Sequence, residues 1–384
     1  MSPTKLSCEW NAPQFSKQYE AAVSLHSHTN YSKESLQFIP NFTRKCPLLH
    51  WALERKCRKS KIPVDFARAY WTPPLTAKLA YDVERNQIEN ELGLMSLVSL
   101  TDHDTIEAPI LLRGLPETNE IPVALEWTVP FNGVVFHLGV HNLPHDRAQA
   151  IVADLAAYTR NPCAAHLCDL MAMLDRSPDM LIVFNHPLWD LCGVGAQRHR
   201  QVLDQFLQGY AGFLHAFELN ATRNCRENNS VLRLADRWQR PAISGGDRHG
   251  RQPSCALNLT RADNFVEFIR EIRLERRSHV LFMPQYAEPR SIRITQTLLD
   301  VIREYPDFPT GSRRWDDRVF HPDRTSTVDC SISTLWKAPP AFIGRIFSAI
   351  RLLENDAVRH ALGLAFRDDV EWHHSSDIPY EATS

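Results

Sequence analysis

Short apolar runs alternate along this chain with longer segments of helical periodicity, and this alternation limits the fold more than any other feature. One helical segment covers Thr76 to Leu92, with Thr76 as its N-cap and Gly93 as its stop. Strands that alternate with helices predict an α/β fold with a largely parallel sheet, and seven strands indicate a TIM-like barrel with one strand fewer than eight. The seven predicted strands are AAVSL from Ala21, LMSLVSL from Leu94, PVAL from Pro122, VVFHLGV from Val134, LIVFN from Leu181, LHAFELN from Leu214 and PAISG from Pro241. The other predicted helices cover about 145–159, 164–175, 199–209, 227–239 and 262–277.

Two regions interrupt this alternation. Residues 33–75 are rich in Pro and aromatic side chains and are too long for an ordinary connection, which indicates an insertion after the first strand. Its basic run, Arg44 to Lys61, is open to three interpretations: a solvated helix face, a lip that binds phosphate, or a surface that docks a protein. We expect one domain over 1–284 and a mostly helical C-terminal extension with a disordered tail over 285–384.

Composition excludes several classes of protein. The formal net charge of the 384 residues is −2, so no general field attracts the chain to nucleic acid or to a membrane. No apolar run approaches the roughly 20 residues of a membrane helix, and the N-terminal residues contain no apolar signal core, so we expect a soluble, cytoplasmic protein. The nine cysteines form no C-x-x-C pair, which indicates reduced thiols.

Histidines and acidic residues collect at or near the ends of the predicted strands. In an extended chain residues i and i+2 point to the same side, so His26 and His28 present two nitrogens to one point. The C-terminal rim of an α/β barrel is where its active site lies, and imidazoles that meet carboxylates there suit Zn, Mn, Fe or Mg. The other residues in this pattern are Asp102, His103, Asp104, Glu126, His137, His186, Glu218, Asn220, Asp247 and His249.

The motifs around these residues resemble those of the PHP family, which is named for its polymerase and histidinol phosphatase members. The resemblance covers about residues 21–280 and implies a distorted (β/α)7 barrel that binds two or three divalent ions, Zn, Mn or Fe. It also implies that a metal-activated water hydrolyses a phosphomonoester or a nucleotide phosphate, and that the substrate is a small phosphorylated molecule, a nucleotide or a short oligonucleotide. The motifs, in family order, are HSHTNYS from His26, LTDHD from Leu100, ALEW with Glu126, FHLG with His137, NHP with His186 and GGDRHG with Asp247 and His249.

The resemblance implies which residues bind metal, and the chemistry of phosphoester hydrolysis indicates the remaining roles. A first ion is expected between His26, His28, Glu126 and Asp247. Glu126 would bridge to a second ion held by His137 and His186, and a third would be held by His103 and His249. The expected catalytic residues are His186, His249 and Asp247, and Asp102 is expected to orient a histidine ring. Arg223, Arg248 and Lys33 are expected to bind the substrate.

The first motif departs from the family at Lys33, where many members carry an aspartate that binds metal. Three interpretations are open: Glu34 reaches the ion from the next position, the Lys33 ammonium replaces the third ion, or Lys33 points to solvent. We expect two firmly bound ions and a weak or missing third. Two alternatives to a small-molecule phosphoesterase are a nuclease that trims nucleic-acid ends and a degenerate metal-binding module without catalysis. Retention of every other matching ligand favours an active hydrolase.

Overall fold

The computed structural model of the chain describes residues 3–9, 18–37, 51, 55, 65–322 and 329–335, which form a mixed α/β structure. The strands are β1 Thr4–Cys8, β2 Ala21–Ser24, β3 Glu34–Ser35, β4 Tyr70–Trp71, β5 Met95–Val98, β6 Leu125–Phe131, β7 Val134–His141, β8 Leu181–Asn185, β9 Ala216–Asn220, β10 Ala242–Gly245, β11 Ala256–Thr260, β12 Ser278–Phe282, β13 Val319–Pro322 and β14 Asp329–Ser331. The α-helices are α1 Ala77–Gln87, α2 Glu107–Arg113, α3 Ala148–Arg160, α4 Ala164–Asp175, α5 Ala196–Tyr210, α6 Cys225–Arg237, α7 Phe265–Arg273, α8 Arg290–Ile302 and α9 Ile332–Leu335.

The strands form three sheets. The first has the order β1-β12-β11-β2-β5, the second β10-β9-β8-β7-β6, and a small sheet has the order β14-β13-β4-β3. Within the described residues none of these sheets closes into a barrel; isolated bridges at Ser27–Arg248 and His103–Glu126 connect the first two. The predicted α/β class is therefore confirmed, but the closed TIM-like barrel is not observed.

An antiparallel hairpin replaces part of the parallel arrangement that the sequence pattern predicted. β6 pairs antiparallel with β7, and β7 pairs antiparallel with β8, whereas β8, β9 and β10 are parallel. Asn132 and Gly133 connect β6 to β7 and have φ values of 48° and 82°. Two consecutive left-handed residues are the requirement of a type I′ hairpin turn, which Asn-Gly favours. The predicted strand at Pro122 is consequently displaced, and the observed strand starts at Leu125.

The other predicted elements agree with the structure. Thr76 caps α1 by accepting a hydrogen bond from the Leu79 amide, and Gly93 ends the segment with a φ of 66° after one π-helical turn. β8 coincides with the predicted strand LIVFN, and the remaining strands and helices differ by a few residues at their ends. The sequence pattern did not predict the strands β1, β11 and β12, which all lie on one side of β2 in the first sheet.

The two large sheets share a buried apolar interior. Val23 of β2 belongs to the same apolar cluster as Val183 of β8 and Ile243 of β10, so strands of both sheets contribute to it. Burying one such side chain is worth about 1.5–3 kcal/mol. Because β2, β5, β8, β9 and β10 are anchored in this way, the loops that follow them leave the interior from fixed points.

The C-terminal region joins the segment that follows β2. β4 pairs with β13, so residues of the expected insertion and of the expected extension form one small sheet. α8 agrees with the expected helical character of the C-terminal extension, but β13 shows that the extension also contains a strand. The segment from Pro340, which the sequence also predicts to be helical, and the tail lie outside the described residues, as does the basic run except for Trp51 and Arg55. The domain boundary at 284 stays a prediction.

No helix in the described part of the chain combines the length and the apolar character that a membrane span requires. The cysteines within the described ranges are not paired in disulfides.

Candidate metal centre

Glu126 lies at the centre of a buried group of histidines. Its Oε2 atom lies 3.0 Å from His26 Nε2, 3.4 Å from His28 Nε2 and 3.3 Å from His103 Nδ1. These three rings come from the loops after β2 and β5, and the carboxylate between them is 1% exposed. One oxygen therefore faces three imidazole nitrogens in a region that excludes water.

The second oxygen of Glu126 faces a different set of side chains. Oε1 lies 3.3 Å from His137 Nδ1 and 3.1 Å from His186 Nε2, and it accepts a hydrogen bond of 3.0 Å from Asn185 Nδ2. Glu126 is the second residue of β6 and is paired with Gly139 of β7, so it does not follow a strand as predicted but lies within the hairpin. The β6–β7 hairpin therefore places both Glu126 and His137 in the cluster.

Asp247 joins the two loops that carry the first and last motifs. Its Oδ1 atom lies 3.8 Å from His26 Nε2, 3.7 Å from His28 Nε2 and 3.5 Å from His249 Nδ1. His26, His186 and Asp247 have positive φ values of 62°, 28° and 47°. Such backbone conformations cost about 1–3 kcal/mol each outside glycine and concentrate at functional sites.

Glu34 adds a carboxylate to the pair of histidines that the resemblance assigns to a third ion. Its Oε2 atom lies 3.3 Å from both His103 Nε2 and His249 Nε2, and its Oε1 atom lies 3.7 Å from His28 Nδ1. The Lys33 ammonium points elsewhere, to Asp329 Oδ2 at 3.1 Å, and its side chain is 61% exposed. Lys33 therefore does not contact this cluster and is largely exposed to solvent, as the third interpretation of the altered motif expects, while Glu34 lies where the first interpretation places it. Binding of substrate by Lys33 stays a prediction.

Glu218 holds two residues of the cluster in place. One of its oxygens contacts His26 Nδ1, and the other accepts hydrogen bonds from the His186 amide at 2.7 Å and from Asn220 Nδ2 at 3.0 Å. The sequence pattern placed Glu218 at a strand end but gave it no role. Its neighbour Gly245 has no side chain, and a Cβ atom there would lie 1.7 Å from Glu218 Oε1.

Two residues have structural contacts that differ from their predicted roles. The Asp102 carboxylate accepts hydrogen bonds from the Thr29 amide and hydroxyl at 2.6 and 2.7 Å, so it fixes the loop after His28 and does not orient a ring. The Arg248 guanidinium donates to Glu84 Oε1 at 2.7 Å, to the Gly250 carbonyl at 2.8 Å and to the His28 carbonyl at 3.4 Å. These three bonds hold the buried guanidinium against Glu84 and the backbone. Binding of substrate by Arg248 stays a prediction.

Arg223 lies beside the cluster, as predicted, and has few partners. Its guanidinium stacks 3.9 Å from the centre of the Trp189 ring, whose own centre is 5.1 Å from that of His186. The side chain is buried, yet its Nε atom has no hydrogen-bond acceptor; the nearest carboxylate oxygen, Glu227 Oε1, lies 3.6 Å away. Arg223 is thus a buried cation whose donors remain available at the edge of the cluster.

Burial and mutual charge shift the pKa values of the group. Burial lowers the pKa of His28 to about 3, assisted by the neighbouring His249. Burial also opposes the charged form of His103, but the Glu34 and Glu126 carboxylates outweigh it and raise that pKa to about 10. For Glu126, burial acts to raise the pKa, and the surrounding histidines more than reverse this and lower it well below its usual value. Glu126 is therefore anionic at neutral pH and attracts positive charge.

Several atoms of the cluster are buried without a hydrogen-bond partner. A buried polar atom in this condition normally requires a partner such as an ion, and imidazole nitrogens with carboxylate oxygens are the donors that Zn, Mn and Fe accept. The residues present therefore fit divalent cations. The unpartnered atoms are His26 Nε2, His28 Nε2, His103 Nδ1, His137 Nδ1 and Glu126 Oε2.

All eight predicted metal ligands, together with Glu34, fall into four overlapping groups. Within each group the ligand atoms lie within 4.8 Å of one another, the spacing that a shared cation requires. Overlap between groups indicates room for more than one ion, and the number of ions stays a prediction. The groups are His28, Glu34, His103 and His249; His26, Glu126 and His186; His26, His28 and Asp247; and His103, Glu126 and His137.

Comparisons with known proteins add little to this geometry. No family model matches the chain, and no curated protein matches it. Seventeen solved chains match. An amidohydrolase from Chromobacterium violaceum, solved with bound sulfate and no metal, is 13% identical, with 59% of this chain and 87% of that chain covered and a TM-score of 0.35. A candidate metal-dependent phosphoesterase from Bifidobacterium adolescentis is 16% identical, with 52% and 91% covered and a TM-score of 0.30. Similarity at this level does not identify the activity of the chain, and membership of the PHP family stays a prediction.

Proposed function

We propose that this protein is a metal-dependent phosphoesterase whose cations are held by the histidine and carboxylate cluster around Glu126. The observation that carries the proposal is the convergence of unpartnered buried nitrogens on this one carboxylate. Each unsatisfied buried polar atom costs about 1–3 kcal/mol, so a fold that keeps five of them together at neutral pH gains from a cation. A degenerate module would be free to lose such an arrangement.

The two oxygens of Glu126 face separate sets of histidines, so Glu126 would be able to contribute one oxygen to each of two cations. Bound cations of this kind polarise a phosphoryl group and supply a nucleophilic water at neutral pH. Asp247 contributes an oxygen close to both His26 and His28, and Glu218 fixes the orientation of the His26 ring from its far side. Replacing a residue that orients a ligand ring in this way usually weakens metal affinity by about 10–100-fold.

Arg223 supports a phosphoryl substrate over a neutral one. A guanidinium has a planar set of donors that fits phosphate oxygens, and this one is held rigid against Trp189 with its donors available. Trp189 in turn contacts the ring of His186, which places the guanidinium next to the cluster. We propose that Arg223 binds the phosphoryl oxygens that the cations do not contact.

The catalytic roles of His186, His249 and Asp247 stay part of the proposal. A ring nitrogen that holds a cation cannot donate a proton, so either histidine acts as the acid for the leaving oxygen only through a nitrogen without an ion. The side chain of His249 is 18% exposed and that of His186 is 3% exposed. His249 is therefore the more accessible of the two; if its Nε2 atom holds a cation, only Nδ1, which lies 3.0 Å from the Asp247 carbonyl oxygen, would be left to act as the acid.

The test is hydrolysis of an aryl phosphate, followed by a panel of phosphorylated metabolites, nucleotides and short oligonucleotides, by protein loaded with Mn²⁺ or Zn²⁺. We expect phosphate release by the native chain and none by His28→Ala or Asp247→Ala. Arg223→Lys is expected to raise KM, with Arg237→Lys, an exposed arginine remote from the cluster, as the matched control. Absence of release from every compound, or native rates in Asp247→Ala, would contradict the proposal.

A further inference from the structure

We infer that Glu34 is a cation ligand in a position shared with His28, His103 and His249, and that this position depends on the small sheet β14-β13-β4-β3. The inference rests on the proposed function, because it concerns one part of the same cluster. It differs from the expectation for the family in two respects. The carboxylate comes from the residue after the usual aspartate position, and the C-terminal region of the chain helps to place it.

The contacts of Glu34 are those of a ligand. Its side chain is 10% exposed, and one of its oxygens lies 3.3 Å from nitrogens of two different histidine rings. The ring of His28 stacks on that of His103 at 4.8 Å and on that of His249 at 4.3 Å. Ser32 donates a hydrogen bond of 2.6 Å to Glu34 and accepts one from the His103 amide at 3.1 Å, so the carboxylate and this histidine loop are fixed to each other.

Strand pairing explains how Glu34 reaches the cluster. β3 has only two residues, and a strand of this length has no stability of its own. It pairs with β4, where Glu34 lies opposite Trp71, and β4 pairs with β13, where Trp71 lies opposite Val319. The ring of Trp71 lies 5.7 Å from that of His249, so this cross-strand pair faces the cluster. The direction of Glu34 is consequently set by strands from residues 70–71 and 319–322.

The adjacent residues form a second set of contacts, which we name the Asp329 latch: Lys33, Tyr70 and Asp329. Asp329 Oδ2 accepts a hydrogen bond from the Tyr70 hydroxyl at 2.8 Å and pairs with the Lys33 ammonium at 3.1 Å. The ammonium also lies 4.7 Å from the centre of the Tyr70 ring. Successive side chains of a strand point to opposite faces, so Lys33 and Tyr70 meet Asp329 while Glu34 and Trp71 face the cluster.

This arrangement gives Lys33, the residue that departs from the family motif, a structural role. Lys33 connects β3 to the C-terminal strand β14 through Asp329, and the carboxylate one position later takes the ligand role. Occupancy of the Glu34 position should therefore respond to Asp329, which does not contact any histidine of the cluster in the described structure. Glu126 and Asp247 have no direct contact with Asp329 in the described structure and are connected to it only through the shared histidines, so the response should be largest at the Glu34 position.

The experiment counts ions and measures their affinities in the full chain, without reference to activity. Metal-free protein is loaded with Mn²⁺ or Zn²⁺, the ions per chain are determined by elemental mass spectrometry, and affinities are determined by competition with a chelating indicator. Glu34→Gln keeps the size of the side chain and is expected to lose one ion per chain. Asp329→Asn is expected to weaken the same ion about tenfold, the lower end of the range for residues that position a ligand. Asp154→Asn, an exposed change on α3, is the matched control.

Each result bears on the inference. If Asp329→Asn disturbs the small sheet as a whole, Tyr70→Phe removes only the latch hydroxyl and is expected to weaken the same ion by a smaller factor. Native ion counts and affinities in Glu34→Gln would overturn the inference while leaving the proposed function in place. Ion loss in Glu34→Gln without hydrolysis by the native protein would support the inference and contradict the proposed function. A native chain that binds no ion would overturn both.

Discussion

Replacing Gly245 by alanine tests whether Glu218 positions the cluster. Gly245 ends β10 and is not among the residues with left-handed backbone, so alanine brings no backbone strain there. The added Cβ would lie 1.7 Å from Glu218 Oε1 and 2.5 Å from its Cδ atom. Atoms cannot approach this closely, so the carboxylate must leave its position.

The size of the effect follows from what Glu218 holds. Its carboxylate contacts His26 Nδ1 and accepts hydrogen bonds from the His186 amide and from Asn220. Displacing it removes the group that orients the His26 ring, and such losses typically weaken metal binding by about 10–100-fold. A tenfold change in affinity corresponds to about 1.4 kcal/mol. We therefore expect Gly245→Ala to reduce the binding free energy of the ion beside His26 by about 1.4–2.7 kcal/mol.

The assay is titration of metal-free protein with Mn²⁺ or Zn²⁺ against a chelating indicator. Gly209→Ala is the control, because Gly209 is exposed on α5 and its added Cβ would meet nothing within 4 Å. If the alanine acts through the carboxylate, Glu218→Ala should weaken binding similarly, and the double variant should bind no more weakly than Glu218→Ala alone. Native affinity in Gly245→Ala, or losses that add in the double variant, would refute the reasoning.

Three further predictions concern stability. Removing cations with a chelator should lower the thermal unfolding midpoint of the native chain, because free metal at about 100 times its Kd stabilises a folded site by about 2.7 kcal/mol; an unchanged midpoint would contradict this. Glu84→Ala leaves the buried Arg248 guanidinium without its carboxylate, so urea unfolding should show a loss of about 3–5 kcal/mol, and Arg248→Met in the same chain should recover part of it. Burial, with Lys5 nearby, lowers the pKa of His279 to about 4 from its ordinary value of 6.5. Unfolding therefore takes up a proton between these values, and the stability of the native chain should fall faster than that of His279→Gln from pH 6.5 to 4, by at most about 1.4 kcal/mol per pH unit; parallel pH profiles would argue against it.

Local motifs allowed the sequence to predict which residues meet, but not how the chain brings them there. His26 and His28 are two residues apart, and Asp247 and His249 are as well, and the side chains of each pair meet in the cluster. The backbone at His26 and Asp247 is left-handed and not extended, so the pairs meet as predicted but by a different local conformation. Arg248, between Asp247 and His249, points away from the cluster to Glu84. Lys33, the residue before β3, points away from Glu34, the first residue of that strand.

The errors came from interactions that are distant in the chain or were overlooked in it. The Asn132-Gly133 pair between two apolar runs is a hairpin signal, and its recognition would have placed Glu126 inside an antiparallel pair and not at the end of a parallel strand. The small sheet joins residues about 250 positions apart, and its strands are too short for a periodic pattern. Glu218 reaches His26 across 192 residues, a contact that no local motif encodes.

The most direct test of the account is diffraction at the absorption edge of the metal, from crystals of the protein grown with Mn²⁺ or Zn²⁺. We predict anomalous peaks at bonding distance from the Glu126 oxygens, with nitrogens of His26, His28, His137 or His186 completing the coordination. A metal-replete crystal without an anomalous peak at Glu126, or with these imidazoles hydrogen-bonded to one another and no ion between them, would contradict the central claim that this buried cluster is a metal centre.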